Sequence, residues 1–141
     1  MPRIDFHSQV SDKLHYTCRL VRKARAANCQ ILVLTCDEQQ LNALNERLWD
    51  FSATDFLPHV ILGDPLTTQT PVILANKLTH PLPQYDLLIN LTSDIPEDYA
   101  RFNRVIEIVS IDEQDAQAGR VRFKKYQHLG VQPSHTVASS T

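Results

Sequence analysis

RVIEIVSIDEQDAQAGRVRFKKYQHLG, residues 104–130, joins a β-branched run directly to a charged segment bearing aromatic rings, and its reading decides the fold. Val105, Ile106, Ile108 and Val109 have the composition of a buried strand. Ser110-Ile111-Asp112-Glu113 has the spacing of a capping box, in which the serine hydroxyl accepts from a free backbone N–H and the glutamate reaches back to the cap. A helix is therefore expected to begin at Ser110. Asp112, Glu113 and Asp115 at its start, and Arg120, Arg122, Lys124, Lys125 and His128 toward its end, complement the helix dipole, and Gly130 stops it. Dipole compensation accounts for part of this charge. Arg120, Phe123 and Lys124 stand at i, i+3 and i+4, so two cations and a ring share one helix face. Such a face suits an acidic peptide that ends in a free carboxylate.

Outward from this stretch, strands alternate with helices. Arg3 to His7 alternates polar and apolar residues and reads as a first strand, followed by a loop at residues 8–11. A helix follows over residues 11–28, with Leu14, Cys18, Val21 and Ala24 at helical spacing. Lys13, Arg19, Arg22, Lys23 and Arg25 lie largely outside that stripe, on what reads as a solvated face. The apolar run Ile31 to Leu34 predicts a central strand covered on both sides. Thr35 or Asp37 caps a second helix carrying Leu41, Leu44, Leu48 and Trp49. Residues 60–62, 72–74 and 87–91 are further strands, and Pro96 to Phe102 reads as a short helix. This alternation predicts an α/β, Rossmann-like three-layer fold with a mainly parallel central sheet. One domain is expected over residues 1–131, with a flexible polar tail over 132–141.

Composition narrows the function. The chain has 141 residues, of which 43% are hydrophobic, enough for one sizeable core. A net charge of −2 argues against a surface built to track a phosphate backbone. The only glycines are Gly63, Gly119 and Gly130, so neither GxGxxG nor GxxxxGK[ST] can be assembled and no nucleotide cofactor is expected. The six histidines are scattered, with no HExxH and no pair at i, i+4, so no metal site is expected. Asp86 and Asp94 flank a strand, where α/β enzymes place acids, but nothing accompanies them and no catalytic residue is assigned. Cys18, Cys29 and Cys36 form no CxxC pair and read as small buried thiols. No signal pattern or membrane-length apolar run occurs, so a cytoplasmic location is expected.

Two stretches remain beyond core and caps: the terminal helix, and LWDFSATDFLPH at residues 48–59, whose Trp49 and Phe56 are candidate interface anchors. LNERLWDFSATDFLPHVILGD and RxRFKKYQHLG, together with the first strand and ILVLTCDE, resemble the chi subunit family of bacterial DNA polymerase III across nearly the whole chain. The resemblance implies a non-catalytic clamp-loader accessory subunit for DNA replication. Such a subunit binds the psi subunit in a 1:1 pair on one side and the acidic C-terminal tail of single-stranded DNA-binding protein on the other. A helicase is a further candidate partner for the psi-facing surface.

Carried over by motif, the tail-binding residues are Val109, Arg120, Phe123 and Lys124, and the psi-binding residues are Trp49 and Phe56. Two departures from the family pattern stand out. Ala116 occupies a position where family members can carry lysine, and Phe123 replaces the frequent tyrosine. Lys124 or Lys125 is expected to supply the missing positive charge. Two other classes fit the residues less well. Direct binding of single-stranded nucleic acid is opposed by the acidic net charge, and a small nucleotide-dependent enzyme by the missing phosphate loop.

Overall fold

The computed structural model describes residues 2–51, 58–62, 64, 70–78 and 86–138. They form strands β1 (Arg3–Val10), β2 (Ile31–Leu34), β3 (His59–Ile61), β4 (Val72–Ala75), β5 (Leu87–Asn90), β6 (Arg104–Ser110) and β7 (Ser134–Val137). The helices among them are α1 (Lys13–Ala26), α2 (Glu38–Phe51) and α3 (Glu113–His128). The sheet has seven strands in the order β3-β4-β2-β5-β6-β1-β7, and every pairing is parallel. The α/β class and parallel sheet expected from the alternation are thus present.

Strand periodicity explains the layers, since successive side chains point to opposite faces. Ile31 and Val33 of β2 join Val72, Leu74, Leu87 and Ile89 beneath α1 and α2, where Cys18, Val21, Leu44 and Leu48 complete the core. Leu32, Ile73, Leu88, Val105 and Val109 face the other way and pack with Phe6, Phe102 and Tyr126 beneath α3. β2 is wholly buried because both of its faces are covered, which is why it reads as an unbroken apolar run.

Several local features differ from expectation. The cap of α3 is Asp112, not Ser110: the Asp115 N–H donates to Asp112 Oδ2 at 3.1 Å, and Asp115 Oδ2 in turn accepts from the Ser110 N–H at 2.7 Å. Asp112 is free to cap because β6 stays extended through Ser110. Asp37 caps α2, accepting from the Gln40 N–H at 2.7 Å. The helix expected from Pro96 to Phe102 is only a 3-10 turn over Tyr99–Arg101. β1 runs on through the predicted loop to Val10, with an irregularity where Gln9 takes a φ of 58°. Cys18 is buried, but Cys36 is exposed at the end of β2, contrary to its reading as a buried thiol. β7 lies within the segment read as tail and hydrogen-bonds in parallel to β1.

Candidate functional site

α3 is the element that carries the site, and its packing sets what the site can present. Gly119, Arg122 and Tyr126 are the buried positions of the helix. At 100° per residue, Arg120, Phe123, Lys124 and Gln127 are turned toward the neighbouring side, over β1 and β6. Between α3 and these strands lies an open groove of about 940 Å³. Ala116, Gly119, Arg120, Phe123 and Lys124 line it from α3, and Val109 and Ser110 from β6. Phe6, Ser8 and Gln9 line it from β1, and His135 from β7. The four residues assigned to tail binding from sequence, Val109, Arg120, Phe123 and Lys124, therefore border one cavity.

The floor is apolar. The Phe123 ring centroid lies 5.1 Å from that of Phe6 at an interplanar angle of 59°, and Val109 is buried beside Gly119. The rim is cationic. Arg120 keeps 64% of its side chain exposed and its Nη2 donates to Glu113 Oε1 at 3.4 Å, a long contact between two solvated groups. Lys124 is exposed on the rim, whereas Lys125 does not line the groove. Ala116 also lines the groove and leaves room where a longer side chain would project.

Three contributors were missed in the sequence. Ser8 and Gln9 fall where the sequence predicts a loop, although extending the alternation of Ile4 and Phe6 by one step puts Ser8 on the same face. His135 sits on β7, whose SHTV sequence gives no apolar signal; its Nε2 lies 2.5 Å from Ser8 Oγ. The third is a buried polar cluster beneath α3. Arg122 Nε donates to Glu107 Oε1 at 2.9 Å, the Tyr126 hydroxyl to Glu107 Oε2 at 2.7 Å, and Asn90 Nδ2 to Glu107 Oε1 at 2.9 Å. Burial pushes the Glu107 carboxyl up, opposed by the Arg122 charge and the hydrogen bonds of Tyr126, Asn90 and Arg122. The sequence puts Arg122 in the basic helix end; in the structure it is an internal ion-pair partner and is buried.

Trp49 lies at the far side of the sheet. It is 48% exposed on α2, with its ring centroid 4.3 Å from that of His59 on the edge strand β3. Phe56 lies outside the described residues, as does the side chain of Phe51. The groove and Trp49 thus belong to opposite edges of the sheet.

The first βα turn, where dinucleotide folds bind phosphate, holds a carboxylate instead. Asp12 caps α1 by accepting from the His15 N–H at 3.1 Å, and its other oxygen pairs with Arg47 at 2.8 Å. A negative group already occupies the helix N-terminus that would otherwise attract an anion. Among the described residues no group of three His, Cys, Asp or Glu side chains is arranged to hold a metal ion.

Fold and groove define a parallel α/β domain with a cation-rimmed apolar cleft on its terminal helix and no glycine-rich turn after its first strand. The chain belongs to the DNA polymerase III chi subunit family: the family model described as "DNA polymerase III chi subunit, HolC" matches residues 1–134. It is 35% identical over 135 residues to the DNA polymerase III subunit chi of Pseudomonas aeruginosa, covering 92% of each chain. It is 28% identical over 113 residues to the chi subunit of Haemophilus influenzae, covering 80% of this chain and 78% of that one. With the Escherichia coli chi subunit the identity is 26% over 113 residues, covering 80% and 77%. The protein is thus a component of the DNA polymerase III holoenzyme and of DNA replication. No helix among the described residues is long and apolar enough to cross a membrane.

Proposed function

We propose that this chain is a non-catalytic adaptor of the cytoplasmic clamp loader, joining the psi subunit to the acidic C-terminal tail of single-stranded DNA-binding protein. The observation that carries the reading is the groove itself: an apolar floor of Phe6, Val109 and Phe123 rimmed by Arg120 and Lys124. A peptide ending in Pro-Phe presents the matching chemistry. The terminal ring packs on the apolar floor, and the Arg120 guanidinium meets the free carboxylate with two parallel N–H···O bonds. Glu113 shares Arg120 only through a 3.4 Å contact, so the exchange of one carboxylate for another costs little. Lys124 adds attraction that steers the acidic tail and weakens with salt.

The opposite edge, around Trp49, is the proposed psi-binding surface, with a helicase as a further candidate for the same face; Phe56, outside the described residues, is proposed as a second psi anchor on the sequence motif alone. Binding there leaves the groove open, so both partners are held at once and the clamp loader is tethered to protein-coated single strands without contact to the DNA. The test is calorimetric titration with a tail peptide whose terminal Phe is present or deleted. The adaptor reading expects binding that is lost with the Phe; equal binding of the two peptides, or binding only of bare oligonucleotide, would overturn it.

A further inference from the structure

α1 contains Lys13, Arg19, Arg22, Lys23 and Arg25 and no acidic residue, in a chain whose net charge is −2. Lys13 and Arg25 have structural work. Lys13 Nζ lies 3.2 Å from Asp115 Oδ2 and donates to the Leu91 carbonyl at 3.0 Å, while Arg25 donates to the Cys29 carbonyl at 2.9 Å. Arg19 and Lys23 are exposed and, among the described residues, have no ion-pair partner. Together with Arg22 and Tyr16 they line a shallow depression of about 620 Å³ on the outer side of the helix.

Tyr16 ties this depression to β1, a strand that also borders the groove. The side chains of β1 alternate, so Phe6 and Ser8 line the groove under α3, while His7 turns to the other face and meets the Tyr16 hydroxyl through Nδ1 at 2.5 Å. Burial first, then the neighbouring Arg104 and Lys23 charges, hold the His7 imidazole below its ordinary value, with Asp5 opposing. Among the described residues β7 alone lies outside β1 on this edge, and neighbouring strands are spaced by about 4.8 Å. A tail that leaves the groove over this edge passes from the α3 face of the sheet to the α1 face, and six residues of extended chain span roughly 20 Å.

We propose that Arg19 and Lys23, with Arg22 beside them, receive a carboxylate-rich stretch of the same tail, upstream of the residues seated in the groove. This rests on the groove taking the tail terminus. Charge complementarity selects the occupant: Arg19 and Lys23, exposed cations on an otherwise acidic protein, match a flexible polyacid. Single-stranded nucleic acid fits less well, because the depression is lined by a single Tyr, Phe or Trp ring, Tyr16, already packed against His7, and offers no aromatic series for successive bases. The patch adds encounter rate and salt-sensitive affinity, and the groove supplies specificity.

The test compares a four-residue peptide ending in Pro-Phe with the same peptide extended upstream by six aspartates. Both are titrated into the full chain and into the Arg19→Gln/Lys23→Gln double variant, which keeps good helix formers in α1. At low ionic strength the extension should tighten binding to the unmodified chain about three- to tenfold, the size expected for two or more exposed ion pairs. In the double variant most of that gain should vanish, with the affinity of the short peptide unchanged. A bound short peptide with no gain from the extension, or with the same gain in both proteins, would overturn the α1 assignment alone. So would an oligothymidine whose binding is lost in the variant while the aspartate gain persists. Failure of the short peptide to bind would overturn the groove reading and this inference together.

Discussion

A Cβ placed on Gly119 would lie 2.8 Å from Cγ2 and 2.9 Å from Cγ1 of Val109, so α3 reaches β6 only because position 119 has no side chain. Glycine inside a helix is about 1 kcal/mol less favourable than alanine, and here close packing offsets that loss. Val109 is short and β-branched and has no flexible end to swing aside. Gly119→Ala is expected to destabilise the fold by about 1–2 kcal/mol despite better helix propensity, because overpacking costs more than propensity gains. Adding Val109→Ala should recover part of the loss, and a thermal-denaturation double-mutant cycle would measure the coupling. Equal stability of Gly119→Ala and the unmodified chain would mean that the close approach carries no constraint.

Arg120→Ala should weaken tail-peptide binding about ten- to a hundredfold, the loss of one charge-assisted carboxylate contact of roughly 1.5–3 kcal/mol. Arg120→Lys should fall in between, since it keeps the charge and loses the planar two-donor geometry. The exposed side chain contributes little to folding, so circular dichroism should be unchanged in both. Wild-type affinity in a folded Arg120→Ala chain would move the carboxylate site elsewhere.

The Glu107–Arg122 pair makes a prediction about stability. Arg122→Met leaves the Glu107 charge buried without its cation and should cost about 3–5 kcal/mol. Glu107→Gln in the same chain removes the stranded charge and keeps an acceptor for the Tyr126 hydroxyl, so the double variant should be more stable than Arg122→Met alone. Urea unfolding of the single and double variants would decide it; additive losses would show that the two side chains do not depend on each other.

Asp115 links the start of α3 to α1. Burial pushes its carboxyl up, but the Ser110 N–H and the Lys13 ammonium outweigh this and hold it below the ordinary carboxylate range. A depressed carboxyl contributes stability above its unfolded value, about 3.9, and that stability is lost as pH falls through the folded value. Asp115→Asn should therefore be less stable than the unmodified chain at neutral pH and show a shallower decline on acidification below about pH 4. Parallel acid-unfolding curves for the two proteins would contradict the assignment.

Trp49→Ala should weaken psi binding by about 2 kcal/mol or more, as loss of an aromatic anchor does, while tail-peptide affinity stays the same. Co-purification with psi and peptide titration on one preparation test both halves. A folded variant that retains psi as the unmodified chain does would place the anchor elsewhere.

The runs ILVL and LLIN announced central strands because a strand covered on both faces is apolar at nearly every position, the buried Asn90 being held by Glu107, a constraint written into adjacent residues. Arg120, Phe123 and Lys124 were legible for a similar reason: helical spacing alone puts them on one face. By contrast, the cap at Asp112 depended on how far β6 continued to pair with β1, which no residue near Ser110 encodes. Arg122 reads like any surface arginine, yet it is buried because α3 meets the sheet along Gly119, Arg122 and Tyr126, directly over Glu107. β7 consists of exposed, mostly polar residues and exists because β1 offers it a free edge, with Ser134 donating to Asp5 and His135 meeting Ser8. Periodicity and propensity act over a few residues and are carried by the chain itself; partners such as Val109 and Gly119, or Ser8 and His135, meet only after the sheet has set its strand order, so the walls of the groove belong to the tertiary structure.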